Sequence, residues 1–204
     1  MKTEHKQLLK AMLVHLIGVM LLGFGIAIFV TAQLGSDPIT VLADGVHQVF
    51  SITIGSAMIF LNGVVLLVVF LFRRSYIRIG TWISAIMTGV FVDIFILLIS
   101  QPLQTVASLP GKLLVLLVGC AVIGLGIALY LSADIGVSLG DLICLILTTE
   151  KGWQYRWIKI TLDFSFVAIG FSLGGKVGLG TIVGALVVGP LVQVFMPFAK
   201  KVCI

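Results

Sequence analysis

Gly23-Phe-Gly-Ile-Ala-Ile-Phe-Val-Thr-Ala-Gln-Leu-Gly35 returns 101 residues later as Gly124-Leu-Gly-Ile-Ala-Leu-Tyr-Leu-Ser-Ala-Asp-Ile-Gly136. Six of the 13 positions are identical, three of them glycine, and six more are conservative. Gly18 over Gly119 extends the match upstream. A second block, displaced by 100, lays Gly80-Thr81, Ala85, Gly89, Val92 and Phe95 over Gly180-Thr181, Ala185, Gly189, Val192 and Phe195. Apolar segments align by accident through Leu, Ile and Val, but accident seldom matches the glycines too. Two blocks at nearly one offset predict a duplicated chain. Its halves are 1–104 and 105–204, joined in one membrane domain.

Around these blocks the chain is too apolar for water. Of 204 residues 60% are hydrophobic and 10% charged, and the mean hydropathy is +1.25, whereas a soluble domain carries about 25% charged residues to solvate its surface. A spanning helix needs about 20 mostly apolar residues. That template predicts six spans, at 11–33, 52–72, 79–100, 112–133, 156–174 and 180–198. Lys2, Lys6 and Lys10 precede the first without a small-residue cleavage site, which reads as a transmembrane helix rather than a secretory signal.

With the N-terminus inside, eleven of the 13 cations fall in inner segments. Only Lys112 and Lys176 fall outside. This bias places both termini in the cytoplasm, and it makes the net charge of +5 a topology signal rather than a nucleic-acid footprint. Each half then holds three spans, an odd number, so the second half enters from the opposite side. The expected fold is all-α: six transmembrane helices in two inverted three-helix repeats.

Two stretches remain, 34–51 outside and 135–153 inside, too polar to span and too apolar for loops. Each opens with helix-start residues. Ser36-Asp37-Pro38 offers an N-cap and Pro at the first helical position, and Ser138 with Asp141 three residues on resembles a capping box. Both are read as short re-entrant or interfacial helices. Asp37, Thr40, Asp44 and His47 share one face of the first. A helix start at depth offers free N–H groups that attract an anionic ligand.

Four polar groups lie inside spans, where an ionised Asp costs about 2.5–3.5 kcal/mol on insertion scales. They pair under the repeat: Asn62 with Asp163, and Asp93 with Gln193. Facing halves would bring them to a central axis. Thr81, Ala85, Gly89 and Asp93, and likewise Thr181, Ala185, Gly189 and Gln193, form small-residue stripes suited to close helix packing. His15 reads as a tolerated polar residue near the inner end of the first span. Cys120, Cys144 and Cys203 have no metal or disulfide spacing and read as packing residues. No nucleophile, metal or phosphate-loop motif is present, so no enzyme activity, cofactor or metal is expected.

The pattern GxGIAL-x-L-[ST]-A-[DQ]-[LI]-G, a Ser/Pro/Asp turn, and a later GT-x-x-x-AL-x-x-GP resembles the YczE/YyaS/YitT-type bacterial integral membrane proteins over about Gly18 to Phe195. In that family the turn often reads Gly-x-Ser-Pro-Trp-Asp. Pro38 is kept in the first copy and Ser138 and Asp141 in the second, while Ile39 and Gly140 stand in place of Trp. The resemblance implies a bacterial inner-membrane protein of this fold and names no substrate.

The leading expectation is a small secondary transporter of a small polar or anionic solute, working by alternating access and open to proton coupling. Asp163 and Asp93 are its expected carboxylates, with Asn62, Gln193, Ser36, Asp37, Ser138 and Asp141 completing the site. The alternatives are a substrate-capture subunit of an ATP-driven importer and a regulatory or scaffold protein. The partners expected are the solute and the lipid bilayer, with no nucleic acid; pairing into a homodimer is left open.

Overall fold

The computed structural model describes residues 2–104 and 108–203, and every regular element among them is helical. In chain order these are α1 (Lys2–Ala32), α2 (Pro38–Phe50), α3 (Ile54–Arg73) with a 3-10 turn at Arg74–Tyr76, α4 (Ile79–Gln104), α5 (Leu109–Ser132), α6 (Leu139–Lys151), α7 (Tyr155–Ser172) and α8 (Leu179–Cys203). The boundary expected between the halves adjoins residues 105–107, which lie outside the described residues. Five helices (α1, α3, α4, α5 and α8) are long and apolar enough to cross a membrane. The sixth expected span corresponds to α7, but Arg156, Lys159 and Asp163 fall within its 18 residues and it does not meet that measure. The segments at 34–51 and 135–153 each form one helix of 13 residues.

The chain turns into α2 and α6 in the same way. Gln33 and Asp134 have positive φ (56° and 49°), followed two residues on by Gly35 (93°) and Gly136 (154°). A methyl group on Gly35 would lie 2.7 Å from Thr181 Oγ1, and one on Gly136 2.9 Å from Thr81 Oγ1, so both φ and space exclude a side chain. Two backbone bonds tie these turns to the other half. Gly180 N donates to Leu34 O (2.7 Å) and Gly80 N to Ile135 O (2.9 Å).

The centre of the bundle is the crossing of α1 and α5, where glycines let the backbones meet. A methyl on Gly18 would stand 2.7 Å from Gly126 O, and one on Gly25 3.1 Å from Gly119 O. Gly23 receives Phe91 of α4 and Gly124 receives Leu191 of α8, again 100 residues apart. Ile26, Phe29, Val92, Leu116 and Ile123 fill the core around this crossing. His15 is more than tolerated there. It is fully buried, and its Nε2 lies 2.9 Å from both Gly80 O and Ser84 Oγ, binding α1 to α4.

The packing of the remaining helices is uneven. α3 lies along α4 and α2 along α7, whereas α6 only touches α3 and α7 scarcely meets α8.

Candidate functional site

The first turns of α2 and α6 come together in the middle of the bundle. Asp37 and Ser138 are the N-cap residues, both in extended backbone (ψ 158° and 152°), and neither side chain bonds an N–H of its own helix. The expected capping box at Ser138 and Asp141 therefore does not form. The two turns meet at Gly140, where Ile39 Cδ1 of α2 would stand in ordinary contact, 3.8 Å, from an added Cβ. The carboxylates find other donors. Thr40 Oγ1 donates to Asp37 Oδ1 (2.6 Å), while Tyr130 and Tyr155 donate to Asp141 at 2.7 and 3.1 Å.

These turns border a cavity of about 200 Å³. Asp37, Ser138, Asp141, Asn62, Tyr130 and Lys159 are among its polar lining, and Leu22, Ile26, Met58, Leu61, Ile123 and Ile127 among its apolar lining. Several lining residues are partners at the repeat offset of 101: Leu22 with Ile123, Ile26 with Ile127, Asp37 with Ser138, Met58 with Lys159. Lys159 Nζ donates to Asp163 Oδ1 at 2.9 Å, one helical turn on. Asn62 Nδ2 donates to Ala85 O (3.1 Å), which aims the amide across α3 to α4. Burial pushes the Asp37 carboxyl above the ordinary carboxylate range, against the pull of the Thr40 hydroxyl and the Lys159 charge.

The residues singled out from sequence thus separate. Asp37, Ser138, Asp141 and Asn62 line the cavity, and Asp163 reaches it through Lys159. Asp93 does not line it. Its carboxylate sits at the start of α3, accepting from Gly55 N (2.8 Å) and Thr53 Oγ1 (2.5 Å). Gln193 is exposed on α8 and does not line it either. Ser36 is buried beside a second cavity of about 130 Å³ with Asp44, His47 and Lys176, where Lys176 N donates to Asp44 Oδ2 (2.8 Å). The polar face of α2 is therefore shared between two cavities, one at each end. Lys159 and Tyr130 were not singled out. Lys159 stands four residues before Asp163, the spacing of a helical ion pair, and Tyr130 adds a hydroxyl where the first copy has Phe29.

The family described as "Family of unknown function (DUF6198)" matches residues 9–197. The chain belongs to this family. Two relatives come from Bacillus subtilis (strain 168). The uncharacterized membrane protein YczE is 26% identical over 181 residues, 88% of this chain and 82% of its own. The uncharacterized protein YyaS is 26% identical over 186 residues, 91% and 92%. An uncharacterized protein of Haemophilus influenzae (strain ATCC 51907 / DSM 11121 / KW20 / Rd) is 29% identical over 189 residues, 92% of this chain and 84% of its own. No solved structure matches the chain. This DUF6198 protein is accordingly an all-helical membrane protein of the YczE type.

Proposed function

We propose that the protein is a small secondary transporter of the bacterial cytoplasmic membrane rather than an enzyme, and that its central cavity holds a small polar solute during alternating access. The observation that carries this reading is the meeting of the α2 and α6 first turns at a cavity lined by residues 101 apart. Short helices breaking the membrane are tolerated where they line a cavity, and a site between two related halves is the common arrangement of such carriers. In this reading α7 is the sixth span. Its charges do not face lipid alone, since Lys159 lines the cavity and binds Asp163. Trp153 and Trp157, both largely exposed, flank its start as interfacial aromatics do.

The two halves are then inverted three-span repeats with both termini cytoplasmic. Paired bonds Gly180 to Leu34 and Gly80 to Ile135 support this, as do the paired glycine contacts of α1 and α5. α2 lies near the outer face, packed on α7, and the cavity is bounded toward α8 by Gly184 and Gly189, where α7 and α8 are apart. Asp163, paired with Lys159, and Asp93, bound to the α3 start, are the carboxylates this reading leaves open to proton coupling.

Purified protein in liposomes, given an imposed pH gradient and a panel of metabolites, tests the reading. Uptake of at least one solute above protein-free vesicles is expected. Tight binding with no uptake of any would favour a substrate-capture subunit instead. A tag placed between Ser100 and Lys112 should be reachable from outside intact cells, and its inaccessibility would refute the orientation.

A further inference from the structure

Helix N-termini attract anions, yet in this cavity each of them already carries a carboxylate of its own. Asp37 is the N-cap of α2 and Asp141 lies in the first turn of α6. Their hydrogen-bond donors, Thr40, Tyr130 and Tyr155, are neutral. The ammonium in the cavity, Lys159, is engaged by a third carboxylate, Asp163, at 2.9 Å. Among the described residues no ion pair reaches Asp37 or Asp141. The two helix ends together offer roughly one positive charge, at about +0.5 each, against the two charges the carboxylates carry when both are ionised, the form that a neighbouring cation favours at Asp37 against the burial that raises its carboxyl. The balance leaves about one negative charge facing the cavity.

The rest of the cavity lining is mainly apolar, with Leu22, Ile26, Ile123 and Ile127 among it. Its volume of about 200 Å³ lies below the ~300–1,000 Å³ of pockets for drug-sized ligands. From charge, shape and size together, we infer that the substrate is a small organic cation, a protonated amine carrying a short branched aliphatic body. The ammonium sits between Asp37 and Asp141 and the body lies on the leucine and isoleucine wall. This assignment rests on the reading of the same cavity as the substrate site. It turns the anion expected at free helix starts into a cation, because the starts carry their own anions.

Three probes share one body and differ in charge: isoamylamine, leucine and isovalerate. Calorimetric titration of the full-length protein in detergent at neutral pH should show isoamylamine binding at least tenfold more tightly than either of the others. Asp37→Asn and Asp141→Asn should each weaken it tenfold or more, and Asp134→Asn, on the exposed surface, should leave it unchanged. Equal or tighter binding of leucine or isovalerate overturns the assignment, and so does absence of saturable binding of isoamylamine at millimolar concentration. The wild-type ranking decides the matter even where a variant does not fold. Counterflow in proteoliposomes then separates the two readings. Binding of the amine without its exchange removes transport and leaves the cation site, whereas exchange of leucine or isovalerate but not the amine keeps transport and removes the cation.

Discussion

At Gly89 of α4 an added methyl group would press on the Gly55 carbonyl of α3 and lie 2.6 Å from Ile59 Cγ1, while at Gly189 of α8, 100 residues on, it would meet nothing within 4 Å. The same contrast runs along both junctions. Asp93 takes two hydrogen bonds from the α3 start; Gln193 in the matched place is exposed. The short helices differ likewise. α2 meets α7 through glycines, with a methyl on Gly45 falling 2.6 Å from Gly170 O, but the positions that correspond in α6 and α3 are Ile146 and Val69. Where both partners are glycine the backbones touch, and where they are Ile146 and Val69 side chains pack between the helices. The difference between a tight and a loose side is thus written in residue size. In the carrier proposed above, that asymmetry would make one face cohesive and leave the other free to move.

Breaking the tight side should cost most. A methyl group on Gly170 of α7 would lie 2.6 Å from the Val41 carbonyl oxygen and 2.7 Å from Leu42 Cα, and backbone atoms cannot rotate away as a side chain can. Gly170→Val is expected to destabilise the protein by about 3 kcal/mol, the upper range for forced overpacking. Thermal unfolding in detergent checks this. Unchanged stability would mean that α2 and α7 are not in contact in solution.

Asp93→Ala comes next. It removes two charge-assisted bonds to the α3 start, each worth about 1.5–3 kcal/mol when fully protected. Partial exposure of Thr53 lowers the sum, and a loss of about 2 kcal/mol is expected. If the α3–α4 clamp is the outer closure, a cysteine at Ser56 should also become more reactive toward an impermeant maleimide in the variant. Equal labelling of both proteins would remove Asp93 from the closure.

Asp37 produces a smaller effect with a definite sign. Its carboxyl is raised by burial, so between its unfolded and folded values the native chain holds a proton that the unfolded chain has released. Stability is then fully present below the unfolded value and falls as pH rises through the folded one. The melting temperature should decline over that window and the decline should flatten in Asp37→Asn. A decline of the same slope in both proteins would assign it to another group.

Much of this was legible in sequence because glycine spacing records close approach. The duplicated block marks the α1–α5 crossing, and the Ser/Asp/Pro turns mark both short helices to within a residue or two of Pro38 and Leu139. Placement of the polar groups was less legible. Asp93 was expected on the central axis with Asp163, but depth along a helix says nothing of azimuth, and Asp93 turns toward the α3 start. Lys159 counts as one more inner cation when charges are used only for topology. Its place in the cavity follows from the packing of α7 on α2, a tertiary fact to which the close approach of Gly45 and Gly170 belongs.

The smallest change is also the sharpest probe of the comparison. Gly189→Ala puts a methyl into open space and removes a helix-interior glycine, which should stabilise this state by about 0.5–1 kcal/mol. Gly89→Ala, the same substitution on the tight side, has no room and should destabilise. If the two halves exchange conformations during transport, α8 must at some point approach α7 as α4 now approaches α3, and the methyl at 189 would then obstruct. The variant should therefore melt higher and transport more slowly. A higher melting temperature with undiminished transport would show that α7 and α8 never close in this way, and that the asymmetry between the two junctions is permanent rather than one half of a cycle.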